Sequence, residues 1–229
     1  MGTKYNPAIV RDGLALYFDA ANTRSYAGSG NTVYNIALTS AIGGTLSSGV
    51  TFSSSPSTFV ATASNYILSD YALASGTSFT VCMWFKRVAS NYWAALFGCE
   101  FWNNGTGYVA RLESSTTIRF SRGGDGIGIV YANAALVSAN FNHYAFVKNP
   151  SGTDSYIYLN GVQVANGSIN NVSITQPFVF NGRWLNTGGS VSTGDAQASQ
   201  FSNIAVYTKA LSGQEILQNY NATKKRYGL

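Results

Sequence analysis

The chain has 229 residues and a formal net charge of +5, with 45% hydrophobic, 14% aromatic and only 10% charged residues. Low charge with high hydrophobicity excludes a disordered chain, and the shortage of Glu, Lys and Arg excludes a helical bundle, whose solvent faces need them. The length suits one large β domain that needs no disulfide or metal to build its core. It is read as a single unit over 1–229, with an N-terminal arm over 1–12.

Short apolar runs separated by Gly, Ser and Asn clusters predict roughly ten to fourteen strands. Leu14–Phe18 is the first. Phe79–Phe85 is the strongest: Phe79, Val81, Met83 and Phe85 line one face, while Thr80, Cys82 and Trp84 line the other. A strand apolar on both faces belongs at the centre of stacked sheets. Ala94–Phe97, Tyr108–Leu112, Thr117–Phe120, Ile127–Tyr131 and His143–Val147 follow. Tyr156–Leu159 and Val162–Val164 flank Asn160-Gly161, a hairpin signal because both turn residues accept positive φ. Phe178–Phe180 and Phe201–Tyr207 complete the strands. In 211–229, Ser212 and Glu215 form a capping box, with Leu211 and Ile216 as its hydrophobic staple. Ile216, Leu217 and Tyr220 are read as the apolar face of this helix, and Lys224-Lys225-Arg226 as a solvated basic tail. The fold class is therefore all-β: a sandwich of two antiparallel sheets with a short C-terminal helix.

The basic residues form no stripe interleaved with exposed aromatics, so nucleic acid is not expected as a partner. No apolar run has the length of a signal or membrane segment, so no membrane insertion is expected. Cys82 and Cys99 read as reduced, buried thiols, and His143, inside an apolar strand, as a packed residue and not a base. No catalytic residue is nominated. The carboxylates lack the alternating Glu-x-Asp-x-x-Glu cluster that puts acid and nucleophile on one strand face. Glycoside hydrolysis requires two carboxylates about 5–9.5 Å apart; Glu100 and Glu113, which could meet across neighbouring strands though nothing in the sequence demands it, are the pair nominated for a hydrolase. No cofactor or metal site is predicted. Asp19, Asp125 and Asp195, in or beside loops rich in Asn and Gly, are the carboxylates that Ca²⁺ would use. Sugar contact needs flat rings beside short amides. Trp93, Trp102 with Asn103, and Trp184 are the candidates, while Trp84 is assigned to the core.

Phe141–Val147 followed by Tyr156–Gly161, the Phe79–Lys86 strand, and the closing Ser202–Tyr207 with Ala210-Leu211-Ser212 and Glu215-Ile216 resemble the laminin G-like, or concanavalin A-like, superfamily. That resemblance implies a jelly-roll sandwich. The ends, Tyr5–Leu14 with Asp19–Asn22 and Ser25–Gly30, and Asn219–Gly228, are similar to concanavalin A-like proteins of tailed bacteriophages, especially T4-like phages of marine bacteria. Where that pattern has Trp-x-Asp and Gly-Asn-Asn-Gly, this chain has Tyr34-Asn35-Ile36 and Gly43-Gly44-Thr45. The narrower resemblance implies a non-enzymatic virion protein (a capsid decoration, head-fibre or tail-associated subunit) made in the bacterial host cytoplasm and located on the particle. Its implied partners are capsid or tail proteins, copies of itself and host surface glycans. The alternative is a carbohydrate-binding module, and after it a glycoside hydrolase.

Overall fold

The computed structural model describes residues 8–37, 43–88, 93–99, 105–123, 128–132, 140–150, 153–174, 176–185, 189–192 and 194–229. In chain order the strands are β1 (Leu14–Asp19), β2 (Thr32–Tyr34), β3 (Gly43–Leu46), β4 (Thr51–Ser54), β5 (Ser57–Ala61), β6 (Ile67–Ser69), β7 (Phe79–Arg87), β8 (Ala94–Gly98), β9 (Tyr108–Leu112), β10 (Thr117–Arg122), β11 (Gly128–Ala132), β12 (Asn142–Lys148), β13 (Asp154–Leu159), β14 (Val162–Ser168), β15 (Val179–Phe180), β16 (Arg183–Trp184), β17 (Val191–Ser192) and β18 (Ser199–Tyr207). Helix α1 (Gly213–Thr223) and a 3-10 turn (Lys224–Tyr227) end the chain.

The first sheet runs β14-β13-β12-β7-β18-β5-β4, with β1 also paired to β18, and the second runs β11-β10-β9-β8-β15-β6-β3-β2. The pairings between neighbouring strands are antiparallel, as in β12 against β7 and β7 against β18. This is the two-sheet sandwich that the alternating pattern predicts. Strand number exceeds the expectation, because β2 to β6 and the short β16 and β17 carry no strand signal in the sequence reading. Their Ser, Thr and Gly residues carry little hydrophobic period, and β4 sits at a sheet edge with its end residues exposed. At Gly44 a Cβ would stand 2.6 Å from the Leu68 carbonyl oxygen and 2.7 Å from the Phe18 ring, so glycine there is set by close packing.

Between the sheets, Phe18, Phe79, Phe85, Phe97, Phe120 and Phe146 belong to one buried cluster. Ring pairs such as the tilted Phe85–Phe201 at 5.2 Å and the edge-to-face Phe97–Phe146 at 5.5 Å fill it, each adding about 0.5–1.5 kcal/mol beyond area burial. The other face of the first sheet is covered too. Cys82, Ala145, Tyr158, Ala205 and Tyr207 pack there with Leu211 and Ile216 of the C-terminal segment. β7 thus divides as its sequence predicts: Phe79, Val81, Met83 and Phe85 face the interior, and Cys82 faces the helix side. The Asn160-Gly161 turn has φ of 52° and 83°, as a two-residue hairpin demands.

The capping box of α1 forms. Ser212 Oγ accepts from the Glu215 amide at 3.3 Å, and Glu215 Oε2 accepts from the Ser212 amide at 2.8 Å. Leu211 and Ile216 are both buried, as a staple requires. The predicted apolar face needs correction. Leu217 is 44% exposed, and the buried residues of the helix are Ile216, Asn219 and Thr223. The sheet beneath offers polar partners as well as apolar ones. Asn219 Oδ1 accepts from the Val10 amide at 2.8 Å and its Nδ2 donates to the Tyr207 hydroxyl at 3.0 Å. Thr223 Oγ1 accepts from Trp84 Nε1 at 2.7 Å. The basic tail is not simply solvated either: Arg226 Nη1 donates to both carboxylate oxygens of Asp19, at 2.8 and 2.9 Å.

Candidate functional site

The residues nominated from sequence separate into three groups. Trp102, Asn103, Asp125 and Glu100 lie outside the described residues. Trp184 is 6% exposed, which corrects its expected surface role. The β16–β17 hairpin carries its indole onto Val179, with Tyr66, Leu68 and Val191 around it, and Nε1 donates to the Pro177 carbonyl at 2.9 Å. Trp184 therefore plugs the sandwich, the role rings most often take there. Trp93 is the one described candidate that reaches solvent, at 54% exposure, and it holds a left-handed φ of 62° at the entry to β8. The Arg111 guanidinium lies 4.9 Å from its ring centroid. Arg111 and Arg119 stand directly opposite each other on β9 and β10, and Glu113 Oε1 bridges them at 3.2 and 2.5 Å. Glu113 is thereby engaged by two cations.

The Ca²⁺ candidates are occupied by protein donors. Asp19, 2% exposed, accepts from the Ala21 amide at 3.0 Å and the Tyr17 hydroxyl at 3.3 Å as well as from Arg226. Asp195 pairs with Arg183 Nε at 3.0 Å and accepts from Ser192 Oγ at 2.5 Å. Among the described residues no three His, Cys, Asp or Glu side chains group to hold a metal ion. Cys82 and Cys99 are free and buried. Burial pushes the Cys82 thiol up to about 12, with Asn219 partly opposing. His143 is packed as expected, 2% exposed against Trp84 at 5.5 Å and Tyr220 at 6.1 Å. Its Nδ1 meets no hydrogen-bond partner.

A groove that sequence reasoning missed lies on the outer side of the first sheet, where the tail crosses it. Ser55, Pro56, Lys86, Asn140, Phe141, Arg226, Tyr227 and Leu229 line a space of about 520 Å³. It adjoins a second hollow of about 350 Å³ beside Ala21, Ser57 and Ser202, with Pro56, Arg226 and Tyr227 common to both. An aromatic stack builds one wall. Tyr227 lies on Trp84 at 4.0 Å and beside Phe141 at 4.9 Å, and Tyr220 covers Trp84 further along at 5.7 Å. The Asp19–Arg226 ion pair pins the tail that carries Tyr227. The Tyr227 hydroxyl is buried beside Ser202 without meeting a donor or acceptor at full hydrogen-bond geometry. Burial pushes this phenol well above its ordinary range. The signal that sequence reasoning passed over is the pair Tyr220 and Tyr227, one in α1 and one in the 3-10 turn that follows it.

Sheets, helix and ring-packed interior define a concanavalin A-like β-sandwich. The chain belongs to the concanavalin A-like lectin/glucanases superfamily, whose profile matches residues 61–217. No curated protein sequence matches it. Among solved structures, it is similar to the binding domain of Paraclostridial Mosquitocidal Protein 1, with a TM-score of 0.68 at 15% identity, covering 93% of this chain and 52% of that one. A structure described under the cell entry of botulinum neurotoxin type C through two ganglioside molecules gives a TM-score of 0.68 at 13% identity, covering 93% and 52%. The binding domain of Botulinum Neurotoxin DC in complex with SialylT gives 0.67 at 12%, also covering 93% and 52%. The chain thus spans about half the length of these domains. At such identities they share its fold.

Proposed function

We propose that the chain is a non-catalytic attachment module that binds carbohydrate in the tail groove and is carried on the particle of a tailed phage. The observation that carries the first half is the groove itself: Tyr227 and Phe141 stand beside Ser55, Ser57, Asn140, Lys86 and Arg226 along two adjoining hollows. Rings take the C–H faces of a sugar, and short polar groups take its hydroxyls. The toxin binding domains of the same fold, described with gangliosides and with SialylT, support this reading. Binding is favoured over hydrolysis because, of the carboxylates nominated for chemistry, the three that are described, Asp19, Glu113 and Asp195, are each held by a guanidinium. A glycan array followed by titration tests it. The wild-type chain is expected to bind, and Asn140→Trp, which fills the exposed rim of the groove, is expected to abolish binding. Trp93→Ala is the contrast: binding lost there and kept in Asn140→Trp overturns the groove assignment and moves the contact to the Trp93 rim.

The particle location rests on the end motifs and on the low-charge surface. Exposed Ser, Thr and Asn make hydrogen bonds to capsid or tail proteins, or to further copies of the chain, without the desolvation cost of burying charge. Mass spectrometry of purified virions is expected to find the chain as a stoichiometric component; its absence from particles overturns this half.

A further inference from the structure

We propose that the tail groove selects an acidic sugar, one bearing a carboxylate, over its neutral counterpart. This rests on the carbohydrate reading above and names the ligand class for the same site. Two cations edge the groove, one from the sheet and one from the tail. Lys86 Nζ sits 5.8 Å from the Phe141 ring centroid, and among the described residues it has neither an ion pair nor a hydrogen bond. Lys86 is half-buried, and among the described residues the Phe141 ring is the contact its ammonium makes at the groove wall. Arg226 is engaged on one side only. Its Nη1 serves both oxygens of Asp19, while Nη2 and Nε meet no described acceptor and the side chain keeps 42% of its exposure. Guanidinium presents its donors as a fork that fits a carboxylate.

Lys86 and Arg226 are the charged side chains lining the groove; Asp19 answers Arg226 from behind the wall, and no carboxylate side chain of the described residues answers Lys86. No acidic side chain lines either hollow. A neutral sugar leaves that charge unanswered as it displaces water from the groove. A carboxylate answers it with charge-assisted hydrogen bonds, which are roughly twice as strong as neutral ones. Tyr227 and Phe141 provide apolar contact for the ring, and the Ser55, Ser57 and Ser202 positions border the space its hydroxyls would enter.

The test titrates the full chain by calorimetry with two acid–neutral pairs: trigalacturonate against the same trimer with its carboxyls reduced to alcohols, and sialyllactose against lactose. At least one acidic member is expected to bind about tenfold or more tighter than its partner, with the preference weakening as salt rises. Lys86→Gln is expected to erase the preference while leaving the urea midpoint unchanged, since this side chain ties down no other element. Equal affinity within both pairs, or a preference that survives Lys86→Gln, overturns the proposal while leaving the carbohydrate reading intact. Sodium sulfate binding as tightly as the acidic sugar also overturns it, because that is a plain anion site. No binding by any of the four sugars, together with a silent glycan array, overturns both readings.

Discussion

Trp84→Ala is expected to cost about 3–5 kcal/mol of unfolding free energy in urea, the range for removing a large buried aromatic. Trp84 is fully buried on the helix side of β7. Its indole is the surface on which Tyr227 and Tyr220 stack, and its Nε1 holds Thr223 at the end of α1. Removing it leaves a cavity and unstacks the tail in one step. Hydrogen exchange should therefore show α1 and the following turn losing protection ahead of β12 and β18, and the groove should lose its ring wall. Trp84→Phe separates the two contributions. It keeps a ring for stacking and loses the bond to Thr223, so about 1 kcal/mol of its cost is hydrogen bond. A cost near zero for Trp84→Ala, or a tail that stays protected, would mean that the Asp19–Arg226 pair and the Ile216 contacts dock the tail without the indole.

Mild acid is the second large lever. His143 is the single histidine of the chain, and burial lowers its pKa from 6.5 to about 3. The rings of Trp84 and Tyr220 stand against it, and no carboxylate is among the causes of the shift. Between those two pH values the unfolded chain takes up a proton that the folded chain refuses. Stability is therefore full above about pH 6.5 and falls by about 1.4 kcal/mol per pH unit below it. From pH 6.5 to 5, above the ordinary range of Asp and Glu, the expected loss is about 2 kcal/mol, read from urea midpoints at the two pH values. His143→Gln should flatten that slope, even though the variant starts from a lower stability. A wild-type curve flat over this window would contradict a neutral, buried His143. Glu215, whose pKa is lowered on balance by Lys209 and the Ser212 cap against its own desolvation, adds its loss only at lower pH.

Several elements were legible because their determinants are local. Alternation along Phe79–Phe85 fixed both its strand character and its two covered faces, since side chains on a strand point to opposite sides whatever the rest of the chain does. Asn160-Gly161 fixed the hairpin by its tolerance of positive φ, and Ser212 with Glu215 fixed the start of α1 by hydrogen bonds within a single turn. The same local signals, read against the order of strands, carried the superfamily resemblance. Strands β2 to β6 escaped because residues such as Thr51–Ser54 have no apolar period of their own, and pairing with neighbours is what makes them strands.

The binding surface depended on contacts no local pattern contains. Trp184 looked like a surface ring from its Asn and Gly neighbours, but the β16–β17 hairpin folds it onto Val179 and Leu68. Asp19 looked like a loop carboxylate, and Arg226 like part of a solvated tail; 207 positions apart in sequence, they meet as an ion pair. Composition and periodicity determined that this chain is a ring-filled, low-charge sandwich with a capped helix at its end. Which rings and cations face a common groove was decided only when the tail folded back over β7, because burial and charge pairing are properties of surfaces brought together, and the sequence encodes only the segments that supply them.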